Sequence, residues 1–171
     1  FPRLLVSSQK PACDADTLRA LGVTHIVACH EAGAHDVPHE LELKCLELGL
    51  TDRESTDLRS ALLVASAFMD QALRENHTNV VLAFCGAGMS RSPAVVMGVL
   101  MMQRGFSLAE AHALVKAGRH VIDPNPGFVR TLREMELANV SPPPPPPPPP
   151  PRLSQLGKDL LRRTLSLTLD E

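Results

Sequence analysis

At 171 residues with 44% hydrophobic side chains, the chain carries enough apolar surface for one core and scarcely two. Its formal charge of −2 divides into 13 basic against 16 acidic residues before Ser141 and 4 against 3 after it, which excludes the basic excess of a nucleic-acid binder. With no Trp, no Tyr and five Phe, aliphatic residues must build the core, and aromatic platforms for stacking single-stranded bases are missing.

Leu4-Leu5-Val6 reads as a first strand, followed by a short helix that Asp14 or Asp16 opens and Gly22 stops. Residues 23–28 read as a buried strand and the His- and Ala-rich residues 30–40 as a loop. Leu41, Leu43 and Cys45 then alternate with charged residues as in a half-covered strand. Leu58, Leu62, Ala65, Met69 and Ala72 fall on one face of a helix that Asp57 can cap. Residues 79–84 form the next expected strand, with β-branched Val80 and Val81 inside it, and a helix over 91–104 closed by Gly105 follows at once. Ser107-Leu108-Ala109-Glu110 is a capping-box pattern opening a helix that Gly118 ends, and a last helix covers 126–138. Strands alternating with helices in this order predict an α/β fold with a central, mostly parallel sheet flanked by helices.

The chemistry is expected beyond the strand that finishes at Phe84, because ligands of such sheets bind where strands end and helices begin. Cys85-Gly86-Ala87-Gly88-Met89-Ser90-Arg91 ties a thiol, two glycines and an arginine into one strand-to-helix turn. Each residue type suits a phosphate. Glycines let the backbone curl so that the N–H groups from Gly86 through Ala87, Gly88, Met89 and Ser90 to Arg91 face inward as an anion nest, and the following helix adds its positive end. The same field favours a thiolate at Cys85 over a thiol. Arg91 returns to the loop after about one turn and can grip two phosphate oxygens with a planar fork that lysine lacks. A buried structural thiol is the competing reading of Cys85, and a Cys-x5-Arg spacing alone is cheap. The context sharpens it: an apolar strand precedes, Ser90 and Ser92 flank the arginine, and Pro93 sits in the first helical turn, where its missing N–H costs nothing.

The segment from Phe84 to Pro93 resembles the signature loop of dual-specificity phosphatases, His-Cys-x-x-Gly-x-x-Arg-Ser. Leu50-Thr51-Asp52 followed by Asp57-Leu58 is similar to the family segment that bears the catalytic acid ahead of a helix. Asp123-Pro124-Asn125-Pro126-Gly127-Phe128 is similar to the family's Pro-Asn-x-Gly-Phe opening of its last helix. The likeness spans about Leu4 to Leu137 and implies a small, atypical dual-specificity member of the cysteine-based protein tyrosine phosphatases, with their fold. It implies hydrolysis of phosphotyrosine and phosphoserine or phosphothreonine monoesters in protein substrates. Cys85 would attack phosphorus to form a cysteinyl-phosphate, and water would release phosphate. By position Asp52 would protonate the leaving oxygen and then take a proton from water, while Ser92 would donate a hydrogen bond to the Cys85 sulfur as it leaves. Asp57 competes for the acid role, although a helix N-cap already explains it. Thiolate, guanidinium and carboxylate suffice, so no metal or organic cofactor is expected.

One departure matters. Phe84 stands where the family has His, so a donor that helps order the loop is absent. This keeps open a second class, a phosphatase-like module that binds phosphorylated partners and turns them over slowly or not at all. Low-molecular-weight phosphatases carry their loop near the N-terminus with the acid downstream, the reverse of the arrangement here. Phosphoinositide and RNA-triphosphate relatives favour a basic loop, and no Lys, Arg or His lies between Cys85 and Arg91.

Four cysteines at spacings of 16, 16 and 40 make neither a CxxC pair nor a compact secreted framework, which points to thiols in the reducing cytoplasm or nucleus. Cys13, Cys29 and Cys45 are each candidates to resolve an oxidised Cys85. Cys29, His30, His35 and His39 can be written as a metal set, but their irregular spacing in a loop reads as solvent-facing histidines. No stretch approaches the roughly 20 apolar residues of a membrane span. Phe1-Pro2-Arg3 does not read as a signal peptide, and Phe1 in place of Met suggests a trimmed chain or fragment.

A catalytic domain over residues 1–140 is expected to give way to a spacer over 141–152 and a short amphipathic or disordered tail over 153–171. Ten consecutive prolines after Ser141 stiffen into polyproline II of roughly 31 Å. Pro142 to Arg152 thus reads equally as a rigid spacer or as a ligand for SH3 or profilin-like domains. Leu153, Leu156, Leu160, Leu161 and Leu165 recur at helical spacing, and Arg162-Arg163-Thr164-Leu165-Ser166-Leu167 is similar to docking peptides of mitogen-activated protein kinase partners.

Overall fold

The computed structural model describes residues 3–31 and 37–139. Strands β1 (Leu4–Ser8), β2 (His25–Ala28), β3 (Lys44–Glu47) and β4 (Val81–Cys85) form one sheet in the order β1-β4-β2-β3, with every neighbouring pair parallel. Parallel neighbours need crossovers. Helices α1 (Gln9–Ala12) and α2 (Ala15–Ala20) connect β1 to β2, and α3 (Leu58–Glu75) carries the chain from β3 to β4. Helices α4 (Arg91–Arg104), α5 (Leu108–Gly118) and α6 (Pro126–Asn139) follow. This is the parallel-sheet α/β fold that the sequence predicts.

Strand β4 has a neighbour on each side and all five of its residues are buried. Alternation along it serves two different cores. Val81, Ala83 and Cys85 face the one built from α3, α4, α5 and α6, where Leu62, Val95 and Phe128 pack. Leu82 and Phe84 face a smaller one, made with Ala12 of α1, Leu18 of α2, and Ile26 and Ala28 of β2.

The predicted caps are formed. Asp14 accepts from the Thr17 N–H to open α2, Asp57 accepts from the Ser60 N–H to open α3, and Ser107 and Glu110 cap α5 reciprocally. Gly105 closes α4 in the left-handed region at φ 69°. Gly118 is the last residue of α5, as the sequence predicts.

Three features differ from expectation. The turn of helix α1 follows β1 directly and includes Pro11, which the strand pattern ahead of it hides. Strand β3 begins only at Lys44, and Cys45 is exposed because β3 is the sheet edge. Its apolar neighbours serve both cores, Leu41 and Leu43 against the smaller and Leu46 and Leu48 against the larger. A short 3-10 turn, His39–Leu41, interrupts the expected loop. Residues 32–36, the polyproline run and the tail lie outside the described residues.

At Gly98 helix α4 packs directly against its neighbours. A Cβ there would press on both Leu62 methyl groups, 2.6 Å from Cδ1, and lie 3.1 Å from Leu132 Cδ2. Ala gains about 1 kcal/mol over Gly inside a helix, but overpacking costs about 1–3 kcal/mol, and both leucines are fully buried. Gly98→Ala is therefore expected to lower the Tm by about 3–5 °C. A calorimetric Tm at or above wild type would show that this helix contact is loose.

Candidate active site

The chain leaves β4 at Cys85 and re-enters helix at Arg91, so residues 86–90 must turn tightly at the carboxyl edge of the sheet. Gly88 takes φ 65°, and a Cβ there would sit 2.5 Å from the Ser7 carbonyl oxygen, so backbone conformation and space both demand glycine. Four consecutive carbonyls of the turn are held from outside. Gly86 O accepts from the Gln9 N–H at 3.1 Å and Met89 O from the Asp123 N–H at 2.8 Å. Between them, Ala87 O accepts from Arg119 Nη2 at 2.8 Å and Gly88 O from Arg119 Nε at 2.7 Å. In a planar trans peptide the N–H points opposite to the C=O, so the N–H groups of residues 87–90 face the concave side.

Helix α4 completes the concavity. Its N-cap, Ser90, makes no side-chain cap, because the Oγ donates to Asp52 Oδ1 at 2.7 Å and accepts from the Asn125 N–H at 3.0 Å. The first amides of α4 thus remain turned toward the loop with the helix dipole behind them. Cys85 is buried at the base, and the fully buried Ser92 donates its hydroxyl to Cys85 Sγ at 3.3 Å.

Arg91 folds back over the loop, with Nη2 3.6 Å from the position of a Cβ on Gly86 and Nη1 donating to Leu50 O at 3.3 Å. Its Nε is buried with no hydrogen-bond partner among the described residues, 3.8 Å from Asp52 Oδ2. Asp52 is fixed further by Asn125 Nδ2 at 2.7 Å, and Asn125 Oδ1 accepts the Phe128 N–H in the first turn of α6. The loop bearing Asp52 is clamped from both sides. Thr51 and Thr56 share a hydroxyl hydrogen bond of 2.6 Å, and a Cβ on Gly127 would lie 2.5 Å from Glu54 Cα.

Cys85, Arg91, Ser92 and Asp52, collected from two segments of sequence, therefore meet at one place. Asp57 does not join them. It caps α3, and the hydrogen bonds from Ser60 hold its carboxyl below the usual range, which suits an ionised cap. Of the metal-set residues, His30 is buried rather than solvent-facing, with its ring edge-on to Phe84 at a centroid distance of 5.0 Å. His35 lies outside the described residues, and no group of three His, Cys, Asp or Glu is placed for a metal among those described. Arg119 and Asn125 are site residues that sequence reasoning missed. The Pro-Asn-x-Gly-Phe segment pointed to Asn125 only as a helix opening, and nothing in the spacing pointed to Arg119.

Residues 4–138 match the family model for the dual specificity phosphatase catalytic domain. The chain belongs to this family. It is 34% identical over 133 residues to dual specificity protein phosphatase 1B of Arabidopsis thaliana, covering 78% of this chain and 77% of that protein. It is 35% identical over 138 residues to human dual specificity phosphatase 28, covering 80% and 76%. The crystal structure of human DUSP28 superposes with a TM-score of 0.73 over 81% of this chain and 94% of that one. That of a human tyrosine phosphatase-like serine/threonine/tyrosine-interacting protein superposes with 0.74 at 27% identity, over 82% and 95%. As a dual specificity phosphatase the chain is a cysteine-based phosphoric monoester hydrolase. No helix among the described residues is long and apolar enough to cross a membrane.

The strand register singles out one of the three other thiols. The Cys29 N–H donates to Phe84 O at 2.8 Å, which continues the β2–β4 ladder and sets Cys29 beside Cys85 with both side chains in the larger core. Adjacent strands lie about 4.8 Å apart, within the roughly 4.4–6.8 Å between Cα atoms that a disulfide spans. Cys45 pairs with Ile26 of the opposite face, and Cys13 ends α1 next to Ala12 of the smaller core. Burial and then the nearby Cys85 charge push the Cys29 thiol well above its ordinary range, while Arg91 pulls it back. Hydrogen peroxide that converts Cys85 to a sulfenic acid removes that charge. Cys29 sulfur then displaces the added oxygen as water. Peptide mapping of peroxide-treated protein is expected to show a Cys29–Cys85 disulfide, and a Cys13 or Cys45 link instead would contradict the register argument.

Proposed function

We propose that Cys85 is the nucleophile, Arg91 the phosphate clamp, Asp52 the general acid and base, and Ser92 the donor to the departing sulfur. The buried, unpartnered Arg91 Nε carries this reading, since a guanidinium fixed over the loop with a donor to spare is set to hold phosphoryl oxygens. Phosphate lies in the nest of residues 86–91, Cys85 attacks phosphorus in line, and the bond to the substrate oxygen breaks as Asp52 delivers its proton. Water, deprotonated by Asp52, then attacks the cysteinyl-phosphate. Cys85 leaves as a thiolate that the Ser92 hydroxyl stabilises. Substrates are phosphotyrosine and phosphoserine or phosphothreonine in proteins, as the family of the closest motifs acts on.

Residues 1–140 form the catalytic domain in this reading, 141–152 the spacer and 153–171 the tail. Pro142 to Arg152 fits an SH3 or profilin-like domain as well as a spacer, and the Arg162-Arg163 segment fits a mitogen-activated protein kinase. The cysteine pattern suits the cytoplasm or nucleus.

Hydrolysis of an aryl phosphate across pH 4–9, in reductant and without added metal, tests the roles. Cys85→Ser is expected to abolish turnover, and Asp52→Asn to lower kcat by roughly 10²–10⁴-fold. The acid must carry its proton in the first step, so the wild-type rate is expected to fall on the alkaline side, and the Asn variant to lose that limb. Folded wild type that binds phosphate through Arg91 without turnover would instead assign the chain to phosphatase-like binding modules, the class that Phe84 keeps open.

A further inference from the structure

We infer that Arg119, at the end of α5, is the positioning residue that sets the anion affinity of the loop and the reactivity of Cys85. This rests on the reading of Cys85 as the nucleophile. Arg119 directs two adjacent donors, Nε and Nη2, at two adjacent carbonyls, Gly88 O and Ala87 O, the two that lie furthest from either end of the turn. The outer carbonyls, Gly86 O and Met89 O, are held by backbone N–H groups that any sequence would supply. The middle of the loop is held by a side chain alone. No carboxylate lies within ion-pair distance of Arg119 among the described residues, so its hydrogen bonds serve the loop rather than an acidic partner.

Two further facts give the contact its weight. Phe84, where the family has a histidine, supplies no donor to the loop, and its ring lies in the smaller core, away from Cys85. Ala87 and Met89 are exposed, so their side chains do not hold the turn in place, and only Gly88 between them packs, against the Ser7 backbone. If the peptide carbonyls at 87 and 88 rotate inward, the N–H groups of Gly88 and Met89 turn out, and the nest gains two negative dipole ends in place of two positive ones. Phosphate and a thiolate are then disfavoured together. The guanidinium also sets a positive charge behind the loop, on the side away from solvent-borne substrate.

Arg119→Ala and Arg119→Lys separate this from a merely structural role. In Arg119→Ala, kcat/KM for an aryl phosphate is expected to fall roughly ten- to a hundredfold. The pH profile of Cys85 alkylation by iodoacetate should move toward alkaline pH, inorganic phosphate should bind more weakly, and the Tm should change little. Arg119→Lys restores charge without a fork and should recover only a small part of the rate. An alkylation profile and phosphate affinity equal to wild type in a folded Ala variant would overturn the inference, and so would full recovery by Lys, which would leave charge as the only role. If the Ala variant does not fold, the Lys variant decides by the same two readouts. Wild type that shows neither turnover nor alkylation at Cys85 would sink the nucleophile assignment itself, a result separate from any effect of Arg119.

Discussion

Successive N–H groups converge on one point only where the carbonyls between them turn away from it, and a carbonyl turned into the body of a protein needs a donor there. In this chain the donors come from three places far apart in sequence: the first turn of α1, the end of α5, and the segment before α6. A neutral hydrogen bond of this kind is worth about 0.5–1.5 kcal/mol and a charged one about 1.5–3 kcal/mol. The curl of the loop is therefore a tertiary property. The glycines permit it, and the surrounding elements impose it.

The central strand supplies the second constraint. A residue and its successor in β4 cannot serve the same core, so Cys85 on the four-helix face forces Phe84 onto the other one. There the ring packs with Ile26, Ala28, Leu18 and the edge of His30, an environment in which an apolar side chain costs nothing. The same alternation brings Cys29 beside Cys85, because strands in register present matching residues to one face. A site at the end of a parallel strand thus acquires its neighbours from sheet geometry before any loop is considered.

This explains which parts of the molecule were legible in the sequence. Caps at Asp14, Asp57 and Ser107 depend on residues three apart and could be read directly. Cys85, Arg91 and Ser92 lie within eight residues of one another, and Asp52 was reachable through the segment that resembles the family's acid loop. Cys45 was misplaced because an edge strand leaves half its pattern without a partner layer, and α1 was missed because four residues carry no periodicity. Arg119 was invisible for another reason. Its targets are carbonyl oxygens, which every residue has, so no side-chain pattern records the contact.

The ring of Asp52, Ser90 and Asn125 joins the loop after β4 to the segment that bears Asp52. Ser90 belongs to the loop, Asn125 immediately precedes α6, and each bonds both the other and Asp52, so the loop and the Asp52 carboxylate shift together if either element moves. Arg91 Nε faces the same carboxylate at 3.8 Å, a long ion pair that leaves the donor unpaired. In the proposed mechanism a phosphate dianion in the nest would take that guanidinium for its own oxygens, so the donor that the protein leaves unpaired is the one a substrate completes.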